Sequence, residues 1–128
     1  MPIHNSDIAA IFNHIADLLD IKGDNPFRIR AYRDAARTME ELSGNAAEMV
    51  ERGEDLTELP GIGKDLASKI REIVATGTLS YLKTLAKEVP PELSELLRLS
   101  GLGPRKVGTL YKVLGITSLA ELGKAVNS

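Results

Sequence analysis

Leu59-Pro60-Gly61-Ile62-Gly63-Lys64 recurs 40 residues later as Leu99-Ser100-Gly101-Leu102-Gly103-Pro104. Apolar residues at short helical spacing precede each copy: Leu56 and Leu59 in the first, Leu96, Leu97 and Leu99 in the second. An apolar pattern of helical period follows each: Leu66, Ala67, Ile70, Ile73 and Val74, then Val107, Leu110, Tyr111, Val113 and Leu114. Gly-apolar-Gly between two helices makes a tight interhelical turn. The glycines permit positive φ and let another backbone come close. The apolar residue between them, Ile62 or Leu102, is expected to tuck beneath the turn and lock the helix pair. The next helix starts at once, so its first N–H groups lack a partner within it. Those groups lie around Gly61, Gly63 and Lys64 in the first copy, and around Gly101, Gly103 and Arg105 in the second. Together with the helix dipole they attract an anion. Lys64, and Arg105 with Lys106, add positive charge in the first turn. Contacts of this kind hold a phosphate and carry no sequence information.

The rest of the chain reads as more short helices. Ile8, Ile11, Phe12, Ile15, Leu18 and Leu19 repeat at helical spacing over the first 22 residues, with Asn5 or Ser6 as N-cap and Gly23 as the stop. Asn25 caps a second helix that has Pro26 in its first position and runs to about Ser43-Gly44. Its apolar positions are Phe27, Ala31, Ala35, Met39 and Leu42. A short acidic helix is expected over 46–52, another carries Leu79, Leu82, Leu85 and Ala86 ahead of Pro90-Pro91, and Thr117-Ser118 can cap a last one. No segment alternates with period two. The predicted fold class is therefore all-α, a compact array of about eight or nine short helices containing two helix-hairpin-helix motifs, with connections of ordinary length for helical bundles. The full signature, apolar-x-x-apolar-x-Gly-apolar-Gly-x-x-x-small, is completed by Ala67 in the first copy and Gly108 in the second.

Composition removes several function classes. In 128 residues there is no cysteine, which excludes disulfides, thiolate zinc sites and thiol nucleophiles. His4 and His14 are too few for a histidine metal cluster and read as surface residues. No apolar run approaches the roughly 18 residues of a spanning helix, so no membrane partner is expected. A net charge of −2 and a pI near 5.7 argue at first against nucleic acid, whose binding domains often exceed about 9. The average conceals a segregation, because residues 38–58 hold seven carboxylates against one arginine. Residues 24–37 and 105–128 are net basic. Any phosphate-binding surface must be local. Arg30, Arg33 and Arg37 share one face of the second helix at i, i+3 and i+7, with Arg28 nearby.

With these motifs in place, the chain resembles the amino-terminal region of family X DNA polymerases of the polymerase-beta type, in their bacterial and archaeal form. The resemblance rests on Gly23-Asp24-Asn25-Pro26-Phe27, Arg30-Ala31-Tyr32-Arg33 with Ala35-Ala36, Leu59 to Lys64, Ala75-Thr76-Gly77 and Ser100 to Pro104, in that order and spacing. It implies a SAM-like, polymerase-beta N-terminal-like array: a lyase-type domain over 1–88 with the first hairpin, and a DNA-binding subdomain over 89–128 with the second. It further implies non-sequence-specific binding of gapped or nicked DNA in repair, at the 5′-phosphate end, through Gly61, Ile62, Gly63, Lys64, Gly101, Leu102, Gly103, Arg105, Lys106, Arg28 and Arg33. A monovalent cation, Na+ or K+, is implied at the hairpins, held by the backbone carbonyls of Thr57, Leu59 and Ile62, and of Leu97, Leu99 and Leu102. A monomer in the bacterial or archaeal cytoplasm, associated with the nucleoid, is the corresponding expectation.

Some members of that family use a lysine after the first hairpin as a Schiff-base nucleophile that removes a 5′-deoxyribose phosphate. The matching position is Lys69, with Tyr32 matching a neighbouring tyrosine that could orient it. Partial burial of Lys69 is expected to lower its pKa and favour the reactive amine. The chain departs from the lyase-active pattern at Asp65 and Tyr81, where those members are basic. Lys69 also reads as a helix-surface lysine paired with Asp65 or Glu72. No Asp-x-Asp pair for two magnesium ions follows a Gly-Ser, so the expectation is the DNA-binding portion of a longer polymerase whose remaining domains are its partners. A paired-hairpin protein-interaction module is the third reading of the same residues.

Overall fold

The computed structural model describes residues 3–89 and, beyond them, residues 103 and 106 singly. Within that range the chain is helical and contains no strand, in agreement with the all-α expectation. The helices are α1 (Asn5–Lys22), α2 (Pro26–Glu41), α3 (Ala46–Glu51), α4 (Lys64–Thr76) and α5 (Ser80–Glu88), with a 3-10 turn (Leu56–Glu58) ahead of α4. The second hairpin, with Gly101, Leu102, Arg105 and the carbonyls of Leu97, Leu99 and Leu102, lies outside the described residues. Of it, Gly103 and Lys106 alone are described, both exposed. No described helix is long and apolar enough to cross a membrane.

Local chemistry sets most helix ends where the sequence places them. Gly23, at φ 73°, closes α1 in the left-handed conformation. Asn25 caps α2 by accepting the Phe27 N–H at 2.8 Å, with Pro26 in the first position. The start of α1 differs from expectation. His4 is the N-cap, and its backbone N–H donates to Asp7 Oδ2 at 2.9 Å. Asn5 is thereby freed to bridge elements distant in sequence. Its Nδ2 donates to the Gly44 carbonyl at 2.7 Å, and its Oδ1 accepts the Ala46 N–H at 2.8 Å. The α2 helix also stops at Glu41, short of Ser43, because Leu42 adopts an extended conformation that leads the chain towards Asn45, the cap of α3.

The core is built from Ile8, Phe12, Ile15, Leu18 and Leu19 of α1, Tyr32, Ala35, Ala36 and Met39 of α2, Leu66, Ala67, Ile70 and Ile73 of α4, and Leu85 of α5. The most extensive packing is between α1 and α2. Two of the apolar positions of α2 lie outside the core: Ala31 is exposed, and Phe27 is 82% exposed. Each four-residue step overshoots a helical turn by about 40°, so three steps from Met39 carry Phe27 about 120° off the buried face. The face that does pack follows the three- and four-residue spacing of Tyr32, Ala35, Ala36 and Met39.

Asn5 closes the joint between the starts of α1 and α3 with a donor and an acceptor. Asn5→Ala is expected to cost about 1–2 kcal/mol, because both of its backbone partners lose their bonds. Urea unfolding followed by circular dichroism measures this as a lower midpoint at unchanged slope.

Candidate functional site

The first hairpin is organised by one buried side chain. Ile62 is 3% exposed and belongs to the core, as expected. The backbone reverses around it: the Leu59 N–H donates to the Leu56 carbonyl at 3.0 Å, and the Ile62 N–H to the Leu59 carbonyl at 3.1 Å. Gly61 takes φ 74°, a left-handed conformation that strains any residue with a Cβ. Gly63 does not. Its φ is −88° and its ψ −174°, extended backbone at the N-cap of α4. A Cβ built on Gly63 would meet nothing within 4 Å. The two glycines therefore differ in kind: Gly61 serves the turn, whereas Gly63 leaves open space in front of α4. Thr38 of α2, a residue that sequence reasoning missed, holds the hairpin by donating its hydroxyl to the Pro60 carbonyl at 2.7 Å. Its contribution has no sequence signal, because a half-buried helix threonine pairs with a carbonyl 22 residues away only once the fold has formed.

The first turn of α4 lacks the side-chain caps found at α2 and α3. Asp7 receives the His4 N–H of α1, Asn25 caps α2, and Asn45 caps α3. Glu72 Oε2 receives the Ser80 N–H at the start of α5, at 2.7 Å. At α4 the N-cap is Gly63 and no side chain accepts a hydrogen bond there. The first intrahelical bond at this end is Ala67 N–H to the Gly63 carbonyl, 2.9 Å, which leaves the preceding amides directed out of the helix end. Lys64 beside them is exposed and makes no ion pair among the described residues.

One helical turn further on, Lys69 lies among aromatic rings. Its Nζ donates to both Asp65 oxygens, at 2.8 and 2.7 Å, and sits 5.1 Å from the centroid of the Tyr81 ring. The Tyr81 ring stacks on Tyr32, with centroids 6.2 Å apart and planes at 14°. Tyr32 meets Phe12 edge-on at 5.8 Å. Arg28 donates to the Tyr81 hydroxyl at 2.6 Å and lies within 3.4 Å of Asp24. The fold thus brings together Lys69, Tyr32 and Arg28, which the sequence singled out separately, and joins them through Tyr81. Burial of Lys69 opposes its charge, as expected, but the hydrogen bond to Asp65 and the negative charge of that carboxylate outweigh it. The ammonium is held above its ordinary range, contrary to the lowering predicted from burial alone. Burial likewise raises the Tyr32 hydroxyl, which keeps it protonated.

The arginine stripe of α2 is not a single solvated face. Arg33 turns onto α1, donating to the Asn13 carbonyl at 3.2 Å and pairing with Asp17. Arg37 lies 3.8 Å from Asp34, and Arg30 is exposed. Among the described residues no group of three or more His, Asp or Glu side chains is placed to hold a metal ion. The carbonyls of the turn are the donors left for a cation, and that of Leu59 already accepts one N–H.

The sequence pattern of the helix-hairpin-helix domain matches residues 3–79. The chain belongs to that family. Over 123 residues, 96% of its length, it is also 41% identical to the DNA polymerase/3'-5' exonuclease PolX of Bacillus subtilis (strain 168). The match covers 21% of that relative, so the chain spans about a fifth of the protein it resembles. The aligned part is the N-terminal one, which bears out the resemblance to family X polymerases.

The end of α4 and the start of α5, which carries Tyr81, are joined through Glu72. Its Oε2 receives both the Ser80 N–H and the Ser80 hydroxyl, and these bonds hold its carboxyl below the ordinary 4.5. A carboxyl lowered in the folded state stabilises the fold above its unfolded value and loses that contribution as pH falls through the folded one. Thermal melts between pH 6 and pH 3 are expected to show Glu72→Gln losing less stability on acidification than the parent.

Proposed function

We propose that this chain binds DNA through the sugar–phosphate backbone, without reading sequence, at gapped or nicked duplex, as the N-terminal portion of a family X repair polymerase. The observation that carries the reading is the open start of α4. Its amides lack a side-chain acceptor, Gly63 leaves space before them, and Ile62 fixes their direction from below. A phosphate oxygen is the acceptor such a terminus lacks. Lys64 supplies a full charge beside it. Arg28 offers a second cationic contact, and the exposed Phe27 ring next to it offers a stacking face to an unpaired base in a gap. In this reading Arg33 fastens α2 to α1 through Asp17, so its part in binding is to hold Arg28 and Phe27 in place. Na+ or K+ would be held by the carbonyls of Thr57, Leu59 and Ile62, where it would add positive charge to the phosphate-facing turn.

Binding by a few phosphates gives a log–log salt dependence with a slope of about −2 to −5. Fluorescence anisotropy on gapped and intact duplex measures it, and equal affinity for the two removes the gap preference. Gly63→Ser separates fold from function. Extended backbone at an N-cap suits serine, whose hydroxyl would accept from the same amides a phosphate would use. The variant is expected to melt no lower than the parent and to bind DNA about tenfold more weakly, a loss of about 1.4 kcal/mol. A protein-interaction module would show no DNA binding at low salt.

A second reading, removal of 5′-deoxyribose phosphate, is favoured by the surroundings of Lys69, whose side chain is only 17% exposed and lies against Tyr81. Its neutral amine would add to C1′ of the opened sugar, lose water to give the imine, and allow β-elimination of the phosphate. Borohydride reduction on an incised abasic site is expected to leave an adduct that Lys69→Ala loses. Absence of an adduct with the parent protein eliminates this reading.

A further inference from the structure

We propose that Asp65 is a positioning residue that locks Lys69 as an ammonium and so sets the pH at which this amine condenses with an aldehyde. The proposal rests on the second reading above, in which Lys69 is the nucleophile. Its basis is geometric. Lys69 Nζ is bound to both carboxylate oxygens of Asp65, at 2.8 and 2.7 Å, one turn away on the same helix. The lysine side chain is 17% exposed, whereas that of Asp65 is 78% exposed. The amine is thus enclosed and its partner open to solvent, so the pair is closed from the protein side and accessible from outside. The Tyr81 ring centroid lies 5.1 Å from Nζ, and its face offers a cation a favourable surface.

The charged and titratable groups facing Nζ come from three helices: Asp65 and Glu72 of α4, Tyr32 of α2, and Tyr81 of α5, with Arg28 of α2 across the same ring. Glu72 is committed to Ser80, and Tyr32 is held protonated by burial. Asp65 is therefore the carboxylate in direct contact with Nζ. Without it, burial and the nearby Arg28 charge both favour the neutral amine. The same carboxylate stands where an anion would have to sit to pair with Lys69, so it also disfavours a phosphate at this point while leaving the α4 amides free.

The chemistry it controls is a simple condensation. The lone pair of neutral Nζ adds to the carbonyl carbon and the π pair moves to oxygen, which takes a proton. Loss of water, with the nitrogen's remaining proton, gives the imine. An ammonium has no lone pair and cannot take the first step.

The test uses the whole chain with formaldehyde and cyanoborohydride, which delivers hydride to the imine carbon, and reads methylation of each lysine by peptide mass spectrometry. Exposed Lys87 serves as internal reference. In Asp65→Asn the half-maximal pH for Lys69 is expected to fall by about one unit or more, and methylation at pH 7 relative to Lys87 to rise about tenfold. Asp65→Glu, which restores a carboxylate, is expected to move the profile back towards the parent. Superimposable profiles for the parent and Asp65→Asn, or slower methylation in the variant, overturn the proposal. So does a Lys69 that stays unmodified at high pH in both while Lys87 reacts. An incised abasic oligonucleotide separates the two ideas. A shifted formaldehyde profile without an adduct on DNA removes the lyase reading and leaves the lock in place.

Discussion

Burial of Ile62 is the constraint from which the functional end of this fold follows. With that side chain in the core, the backbone on either side must reverse within a few residues, and Gly61 supplies the left-handed conformation that allows it. The reversal puts Gly63 at the mouth of α4, with open space where a side chain at that position would stand. Thr38 then fixes the outer edge of the turn to α2, and α2 is itself fastened to α1 by Arg33. The geometry offered to a ligand is thus set by apolar packing and two polar ties, and it does not need flexible side chains to arrange themselves first.

Under the proposed function, this is how an acidic protein holds a polyanion. Helix amides and a dipole act over one turn and add nothing to net charge. The carboxylates of 38–58 lie at the end of α2, on α3, and on the stretch that leads from it into the hairpin. They oppose any broad electrostatic attachment, so in the proposed reading contact is confined to the open turn, Lys64 and the Arg28 corner. Few contacts and strong dependence on salt are the natural outcome.

Much of this was legible in the residues. The helices, their caps at Asn25 and Gly23, the buried Ile62 and the left-handed Gly61 follow from spacing and local backbone chemistry. The exposure of Phe27 was not legible, because a regular four-residue apolar spacing mimics a face that in fact drifts around the helix. Asn5 and Thr38 escaped notice because their partners, Gly44 and Pro60, are distant in sequence. The state of Lys69 was misjudged for a related reason. Burial was visible as a periodicity, but the surroundings of the amine, with Asp65 in contact and Tyr81 alongside, depend on α2, α4 and α5 meeting at one point. Tyr81, noted in the sequence only as a departure from a basic position, joins Arg28 to Lys69.

The central claim, that the uncapped start of α4 is the surface that meets DNA, is tested most directly by titrating isotope-labelled protein with gapped duplex and following backbone amide resonances. The largest changes are expected at Gly61, Gly63, Lys64 and Asp65, with smaller ones at Phe27 and Arg28 and none along α3. Changes centred on α3, or resonances of the hairpin that stay in place while DNA binds, would contradict it.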